Sequence, residues 1–295
     1  MSRRGRPLAE ALAFAPAALS LGLVRALPWR ARLGFGGWLG RRIVLGLPKL
    51  RGRVDANLRY VMPELDAKER RAIAAEVGDS FGRTFVETFC MADFQAARAW
   101  IAPTGPGAEA VAAAAREGRP AIVVSGHLGQ WEAGRAWAKA THREAAAVYR
   151  PLNNRWLEPI YRRQLEIGGR PMLPKGAAGL RGLVAHLRSG GLAAILVDQY
   201  DRRAPRLDFL GRPAPTVTLA ADLALKFGAP LIPGCGIRQP DGVSIAIQLD
   251  PPVPHTTPAE MMQVVNDSLA RHVRAHPGQY LWLHRRWTKD LGGQP

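Results

Sequence analysis

The sequence predicts an α/β fold with a central mixed sheet flanked by helices and an N-terminal helical membrane-anchoring segment. Short apolar runs alternate with helical patterns from residue 109 onward, which is typical of strands joined by helices. The run at 121–124 ends in Ser-Gly-His, and the run at 192–197 ends in Asp-Gln. Polar residues directly after buried strands indicate a ligand site at the carboxyl ends of the strands.

The predicted elements after residue 105 are short and closely spaced. We predict strands at 120–125, 146–150, 171–174, 192–197, 230–237 and 243–249. We predict helices at 109–117, from Glu132 to about residue 140, at 154–167, before the Gly-Gly pair at 190–191, at 216–227 and at 257–275. Thr257 and Glu260 form a capping box with Pro258 at the first helical position, which indicates where the last helix begins.

The part of the chain before the predicted sheet is helical in character. Residues 1–53 form a basic and aromatic region that we expect to associate with a membrane, and residues 54–104 form a helical segment. Asp66 and Glu69 make a capping box, after which helical spacing of apolar residues continues to about residue 100. A Gly-Pro-Gly stretch marks the boundary to the α/β domain, residues 105–295.

The charge predicts an anionic partner. The 295 residues include 41 basic and 24 acidic side chains, which gives a net charge of +17. Residues 1–53 hold eleven of the basic side chains and a single acid, Glu10, among tryptophan, phenylalanine and leucine. Basic residues mixed with aromatic ones favour an anionic membrane surface over nucleic acid.

The apolar run at 11–24 is about fourteen residues long, whereas a helix needs roughly twenty to span a bilayer. We therefore expect a retained segment that lies in the cytoplasmic leaflet. A short span and a cleaved signal peptide are the alternatives. The two cysteines, Cys90 and Cys235, lie far apart without metal-ligand spacing, which predicts a reducing compartment and no zinc site.

His127 and Glu132 are the candidate catalytic pair. An imidazole that titrates near neutral pH can take a proton from an alcohol, and a carboxylate can orient that ring. Five residues correspond to a rotation of about 140° on an ideal helix. The two side chains therefore meet only if His127 lies in the loop and Glu132 in the first helical turn. The alternative is a loop histidine bound by backbone and a surface glutamate.

Residues 126–132, Gly-His-Leu-Gly-Gln-Trp-Glu, resemble the HxxxxD/E motif of the lysophospholipid acyltransferase superfamily. The pattern of these residues is similar to that of the branch that contains the bacterial late lipid A acyltransferases, which are lauroyl and myristoyl transferases. Mycobacterial phosphatidylinositol mannoside acyltransferases are similar too. Four further blocks carry the resemblance in the same order, at 57–65, 148–154, 198–213 and 279–287. Relatives usually carry Phe and Asn where this chain has Leu128 and Gln130, a difference that we expect to bear on the fine shape of the pocket.

The resemblance implies that residues 105–295 are an acyltransferase domain at the cytoplasmic face of the bacterial inner membrane. Such enzymes transfer a fatty acyl chain from a thioester, here most simply on acyl carrier protein, to a hydroxyl of a lipid A precursor. His127 would be the general base and Glu132 its support, without a metal or other cofactor. Ser125 is a weaker alternative as a nucleophile.

Other residues are candidates for substrate binding. Arg150 ends a predicted strand and suits a phosphate or oxyanion, although a surface ion pair is the alternative. Asp198 and Gln199 also follow a strand, so we expect them in the same cleft, with a structural turn or helix cap as the alternative. Arg285 and Arg286 are candidates for anionic head groups or the carrier's phosphopantetheine, with a solvated face as the alternative. The remaining histidines, His284 among them, have no carboxylate at a matching spacing.

Three other functions compete with this reading. The same chemistry could use acyl-CoA and another glycolipid such as a phosphatidylinositol mannoside. A nucleic-acid-binding protein would explain the charge, but the sequence shows neither a helix-turn-helix nor an RNP-like pattern. An inactive membrane scaffold is the third alternative.

Overall fold

A computed structural model describes residue 22, residues 24–141 and residues 144–287. Most of the apolar run at 11–24 therefore lies outside the described residues. None of the helices in the described ranges combines the length and apolar character that crossing a bilayer requires.

The described part of the chain before the sheet contains helices α1 (Trp29–Gly46), α2 (Pro48–Val61), α3 (Ala67–Phe89) and α4 (Met91–Ala97). Helix α3 begins with the predicted capping box, in which Asp66 accepts from the Glu69 backbone N–H and Glu69 accepts from that of Asp66. Helices α1 and α3 pack with their backbones in contact. A Cβ atom at Gly40 would overlap the carbonyl oxygen of Gly78, so this approach requires glycine.

A seven-stranded sheet forms the centre of the molecule. Its strands are β1 (Trp100–Ile101), β2 (Ala121–Ser125), β3 (Ala145–Tyr149), β4 (Met172–Pro174), β5 (Leu192–Leu196), β8 (Leu231–Arg238) and β9 (Ile245–Leu249). They lie in the order β1-β9-β8-β2-β5-β3-β4, and all neighbours are parallel except β8 and β9. The mixed sheet is thus confirmed, and each predicted strand agrees with the structure to within two residues.

The predicted helices of the α/β domain are also present, to within three residues. They are α5 (Pro106–Arg116), α6 (Ala133–Thr141), α7 (Leu157–Gly168), α8 (Ala177–Arg188), α9 (Leu219–Phe227) and α10 (Pro258–Ala275). The sequence analysis missed the short strand β1 and a hairpin of β6 (Arg206–Phe209) and β7 (Arg212–Pro215). The hairpin turns through Leu210 and Gly211, both with positive φ, and its prolines hide the strand pattern.

Apolar cores cover both faces of the sheet. On the face that packs against α5 and α6, Val111, Ala136 and Ile247 are buried in one cluster. On the face that packs against α8, α9 and α10, the larger cluster includes Ile122 and Leu183. Burial on both faces is typical of a parallel sheet. The parallel pairing of β2 with β5 places the polar residues that follow these strands side by side, at the carboxyl ends of the strands.

Candidate active site

His127 lies in the loop after β2 and is held by Asp198, which follows β5. The His127 ring nitrogen Nδ1 lies 2.7 Å from Asp198 Oδ1, and the His127 backbone N–H donates to Oδ2 at 2.7 Å. The two residues meet because β2 and β5 are neighbouring parallel strands, paired up to Ser125 and Leu196. Asp198 therefore fixes both the backbone and the ring of His127.

The Asp198 carboxylate is almost completely buried, with 1% of its surface exposed. Burial alone would raise its pKa, but the neighbouring charge of His127 and its two hydrogen bonds outweigh burial and hold the pKa well below the usual range. Tyr280 is buried beside this carboxylate. Burial and the Asp198 charge raise the Tyr280 pKa well above its usual value, so that hydroxyl stays protonated. The arrangement resembles the base and orienting acid of a hydrolase triad.

Glu132 occupies a different position from the one expected. Its carboxylate pairs with Arg135, three residues later, and its backbone N–H donates to Gln130 Oε1 at 3.0 Å. Arg135 is itself buried and donates to the carbonyls of Gly169 at 2.6 Å and Ala145 at 3.3 Å. Glu132 thus supplies the counter-charge for a buried cation. Glu132 immediately precedes α6, and the carboxylate that bonds the His127 ring is that of Asp198 rather than that of Glu132.

Two rings lie against the His127 imidazole. Trp131 meets it edge-on with ring centroids 5.1 Å apart, and His284 does so at 4.5 Å. His284 Nε2 is buried and makes no hydrogen bond within the described residues. Burial and the nearby His127 lower the pKa of His284 to about 4, so this second imidazole is neutral at physiological pH. The sequence analysis missed His284 because its neighbour is a histidine and not a carboxylate.

A buried polar network supports the loop that carries His127. Gln130 Nε2 donates to Glu87 Oε2 at 2.7 Å, and Arg238 donates to both Glu87 oxygens at 2.8 and 2.6 Å. The side chain of Gln279 bonds the backbone N–H and carbonyl of Arg238, both at 2.9 Å. The backbone carbonyl of Gln279 accepts from the Gly129 N–H at 2.9 Å. Helix α3, strand β8 and the C-terminal segment therefore fix the loop from three sides.

A cavity of about 560 Å³ opens beside His127. Its lining is mostly apolar, and Trp131, Glu132 and Arg135 lie in its wall. The cavity has this volume because small side chains line it. They are Ala145 and Ala147 of β3, Val123 of β2 and Ala194 of β5, which all point to the same face of the sheet. An apolar pocket with a few polar groups at one end suits an aliphatic ligand with a reactive polar head.

Comparison with known proteins identifies the family. The profile described as Bacterial lipid A biosynthesis acyltransferase matches residues 2–289, almost the whole chain. The chain belongs to the bacterial lipid A biosynthesis acyltransferase family. It is therefore an acyltransferase, as the HxxxxD/E-like block at 126–132 predicted.

Curated relatives of this acyltransferase agree with the family. The lipid A biosynthesis lauroyltransferase of Escherichia coli (strain K12) is 29% identical over 292 residues, covering 93% of this chain and 91% of the relative. The lipid A biosynthesis palmitoleoyltransferase of the same strain is 27% identical over 273 residues, covering 86% of each chain. A phosphatidylinositol mannoside acyltransferase of Mycobacterium tuberculosis (strain CDC 1551 / Oshkosh) is 25% identical over 189 residues, covering 61% of this chain and 58% of the relative.

The predicted substrate-binding residues of the acyltransferase fall into two groups. Arg150 and Gln199 are exposed and line the cavity, so they lie at its mouth. Arg285 is exposed and is not among the described residues that line the cavity. Arg286 is buried, contrary to the expected contact with head groups. It donates to the Pro215 carbonyl at 2.6 Å and serves the packing of the C-terminal segment.

Three further expectations concern residues near His127. Ser125 Oγ donates to the Gly126 carbonyl at 3.1 Å, so its proton is directed to a carbonyl that cannot act as a base. Leu128 and Gln130 are fully buried and are not among the described cavity-lining residues. The departures from the usual Phe and Asn therefore affect the support of the loop and not the pocket wall.

Proposed function

We propose that this acyltransferase moves a fatty acyl chain from an acyl thioester to a hydroxyl of a lipid A precursor, with His127 as the general base. The observation that carries the proposal is the position of His127. Its ring lies in the wall of an apolar cavity of about 560 Å³, and a buried carboxylate holds Nδ1. Nε2 is then the ring nitrogen that can accept a proton.

The reaction needs one proton to move from the acceptor hydroxyl to His127 and then to the leaving thiolate. The Nδ1–H of His127 donates to Asp198, while Nε2 takes the proton of the acceptor hydroxyl as its oxygen attacks the thioester carbonyl. Asp198 stabilises the imidazolium, as a buried orienting carboxylate does in other acyl transfers. The tetrahedral intermediate then expels the thiolate, which takes the proton from Nε2. An ester forms, a thioester breaks, and no acyl-enzyme is required.

Glu132 acts indirectly in this proposal. Its pairing with Arg135 places both side chains in the cavity wall and joins α6 to the start of β3 and the end of α7. Arg150, at the mouth, is the proposed contact for the oxyanion or a phosphate, because a guanidinium presents two parallel donors. Gln199 is proposed to hydrogen-bond the acceptor at the mouth, and Arg285 to meet an anionic head group outside it.

A membrane surface is the proposed location, at the cytoplasmic face of the bacterial inner membrane. Helix α1 buries a glycine-rich face on α3 and exposes large apolar side chains on the other: Phe35, Trp38, Leu39 and Ile43. Exposed arginines, Arg41 and Arg42, lie between Leu39 and Ile43 on the same helix. Apolar and cationic side chains on one helix favour adsorption to anionic lipid.

Vesicle sedimentation tests the membrane proposal. Ile43→Ser removes an apolar side chain from the exposed face of α1, and Val264→Ser removes one of similar exposure from α10 (43% and 45%). Burying a whole side chain of this kind contributes about 1.5–3 kcal/mol, so burying the 43% of Ile43 that is exposed contributes about 0.6–1.3 kcal/mol. We expect Ile43→Ser to weaken binding to phosphatidylglycerol vesicles by roughly threefold to ninefold, and Val264→Ser to leave it unchanged. Equal effects would refute the assignment of this face.

The substrate assignment is tested in cells and with purified enzyme. Deletion of the gene should give under-acylated lipid A by mass spectrometry, whereas loss of an acylated phosphatidylinositol mannoside would favour the alternative acceptor. His127→Ala should abolish transfer to the lipid A precursor. Acyl carrier protein thioesters are the expected donors, and higher kcat/KM with acyl-CoA would contradict that part of the proposal.

A further inference from the structure

Strands β3 and β5 separate at their carboxyl ends, the end of the sheet where the active site lies. The two strands pair at three positions, from Ala145 opposite Leu192 to Ala147 opposite Ala194. Strand β3 continues to Tyr149 and β5 to Leu196, and no further pairing joins them in the described part of the chain. The strands therefore separate over their last two residues, and their far partners β4 and β2 hold them apart.

The cavity passes through this opening. Successive side chains of a strand point to opposite faces of a sheet. The cavity is lined by residues of β5 and its end that belong to both faces: Leu192, Ala194 and Leu196 on one, Ala193, Ile195 and Val197 on the other. It therefore has two arms, one on each face, and His127 is among the residues that line the cavity.

The arm on the α6 face is long and enclosed. It is lined by Val111 of α5, Val123 of β2, Trp137 of α6 and Leu249 of β9. From β3 to β9 the lining crosses four strand spacings, which amounts to roughly 19 Å. Val111 and Trp137 are buried, so a ligand in this arm is shielded from water.

The arm on the α9 face reaches solvent. It lies between α8 and α9 and is lined by Leu180, Leu183, Val217 and Leu219. Leu180, which lines this arm, is 39% exposed. The apolar surface of this arm therefore extends to solvent.

We propose that the α9-face arm holds an aliphatic chain of the acceptor lipid while the α6-face arm holds the acyl chain of the donor. This inference rests on the proposed function. A chain delivered from a water-soluble carrier must be desolvated over its whole length, which suits the enclosed arm. An acceptor that stays partly in the bilayer needs a groove open along one side.

Matched substitutions separate the two arms. Val123 and Val217 are both half-buried cavity-lining valines, on the α6 face and the α9 face respectively. We expect Val217→Phe to raise KM for the lipid A precursor about tenfold or more, within the range by which small size changes alter hydrophobic recognition. Its preference among acyl thioesters of increasing length should match wild type. Val123→Phe should shift that preference to shorter chains and leave the acceptor KM unchanged.

The outcomes distinguish the arms from one another and from the underlying function. A shift of donor preference in Val217→Phe like that in Val123→Phe would show one continuous donor tunnel and overturn the inference, as would no change in the acceptor KM. If either phenylalanine variant fails to fold, Val217→Ala and Val123→Ala provide the same comparison by enlarging each arm. Failure of the wild-type enzyme to acylate a lipid A precursor would instead refute the proposed function.

Discussion

Replacing the Asp198 carboxylate with an amide tests the catalytic proposal most directly. In Asp198→Asn one carbonyl oxygen remains, and it can accept either from His127 Nδ1–H or from the His127 backbone N–H, which both now bond the carboxylate at 2.7 Å. The charge that stabilises the imidazolium is lost as well. General bases of this kind contribute about 10²–10⁴-fold, so we expect kcat to fall by that factor, about 2.7–5.4 kcal/mol in the barrier. Asp198 is not among the described cavity-lining residues, so KM should change little.

The matched control is Glu132→Gln, which makes the same chemical change five residues after His127. Because Glu132 pairs with Arg135, this substitution leaves a buried cation without its partner and should lower the free energy of unfolding by about 3–5 kcal/mol. Its kcat should stay within about tenfold of wild type in the folded enzyme. Release of thiol from the acyl thioester gives the rates, and urea unfolding gives the stabilities. A folded Glu132→Gln enzyme with a kcat loss as large as that of Asp198→Asn would refute the reasoning.

Three further substitutions test other parts of the structure. His284→Gln should flatten the pH dependence of stability. Because the pKa of His284 is lowered to about 4 in the folded protein, the unfolded chain binds the proton first as the pH falls, and the wild-type free energy of unfolding drops by about 2 kcal/mol between pH 8 and pH 5. Urea unfolding at both pH values measures this, and the same pH dependence in variant and wild type would contradict it. Glu87→Gln should cost about 3–5 kcal/mol because Arg238 stays buried without its counter-charge, whereas removing both as Glu87→Leu with Arg238→Met should cost less; the denaturation midpoints decide. Gly40→Ala should lower the melting temperature, because its Cβ would overlap the Gly78 carbonyl and overpacking costs about 1–3 kcal/mol. Gly34→Ala, with open space around its Cβ, should leave the melting temperature unchanged. Equal melting temperatures for the two variants would count against backbone contact between α1 and α3.

The sequence predicted the sheet well because its strands are short, apolar and bounded by glycine, proline or helix caps. It also placed His127 and Asp198 at strand ends, which is the local part of the site. It did not predict their contact, because strand order is set by long-range packing: 66 residues separate the end of β2 at Ser125 from the start of β5 at Leu192, and yet the two strands are neighbours. Proximity in the sequence favoured Glu132, but its position immediately before α6 lets it neutralise Arg135. His284 escaped notice because contact between two imidazoles has no sequence pattern.

The separation of β3 and β5 connects the catalytic geometry with the cavity. Strand β5 stays paired with β2 through Leu196, and this pairing delivers Asp198 to His127. Strand β3 instead follows β4 through Tyr149, which carries Arg150 away from the dyad to the cavity mouth. If β3 remained paired with β5, the dyad would be unchanged but the opening beside it would close. In the proposed reaction, the divergence of one strand pair gives a buried base access to the aliphatic chains of both substrates, and a substitution that widens or fills the opening should alter chain selection before it alters proton transfer.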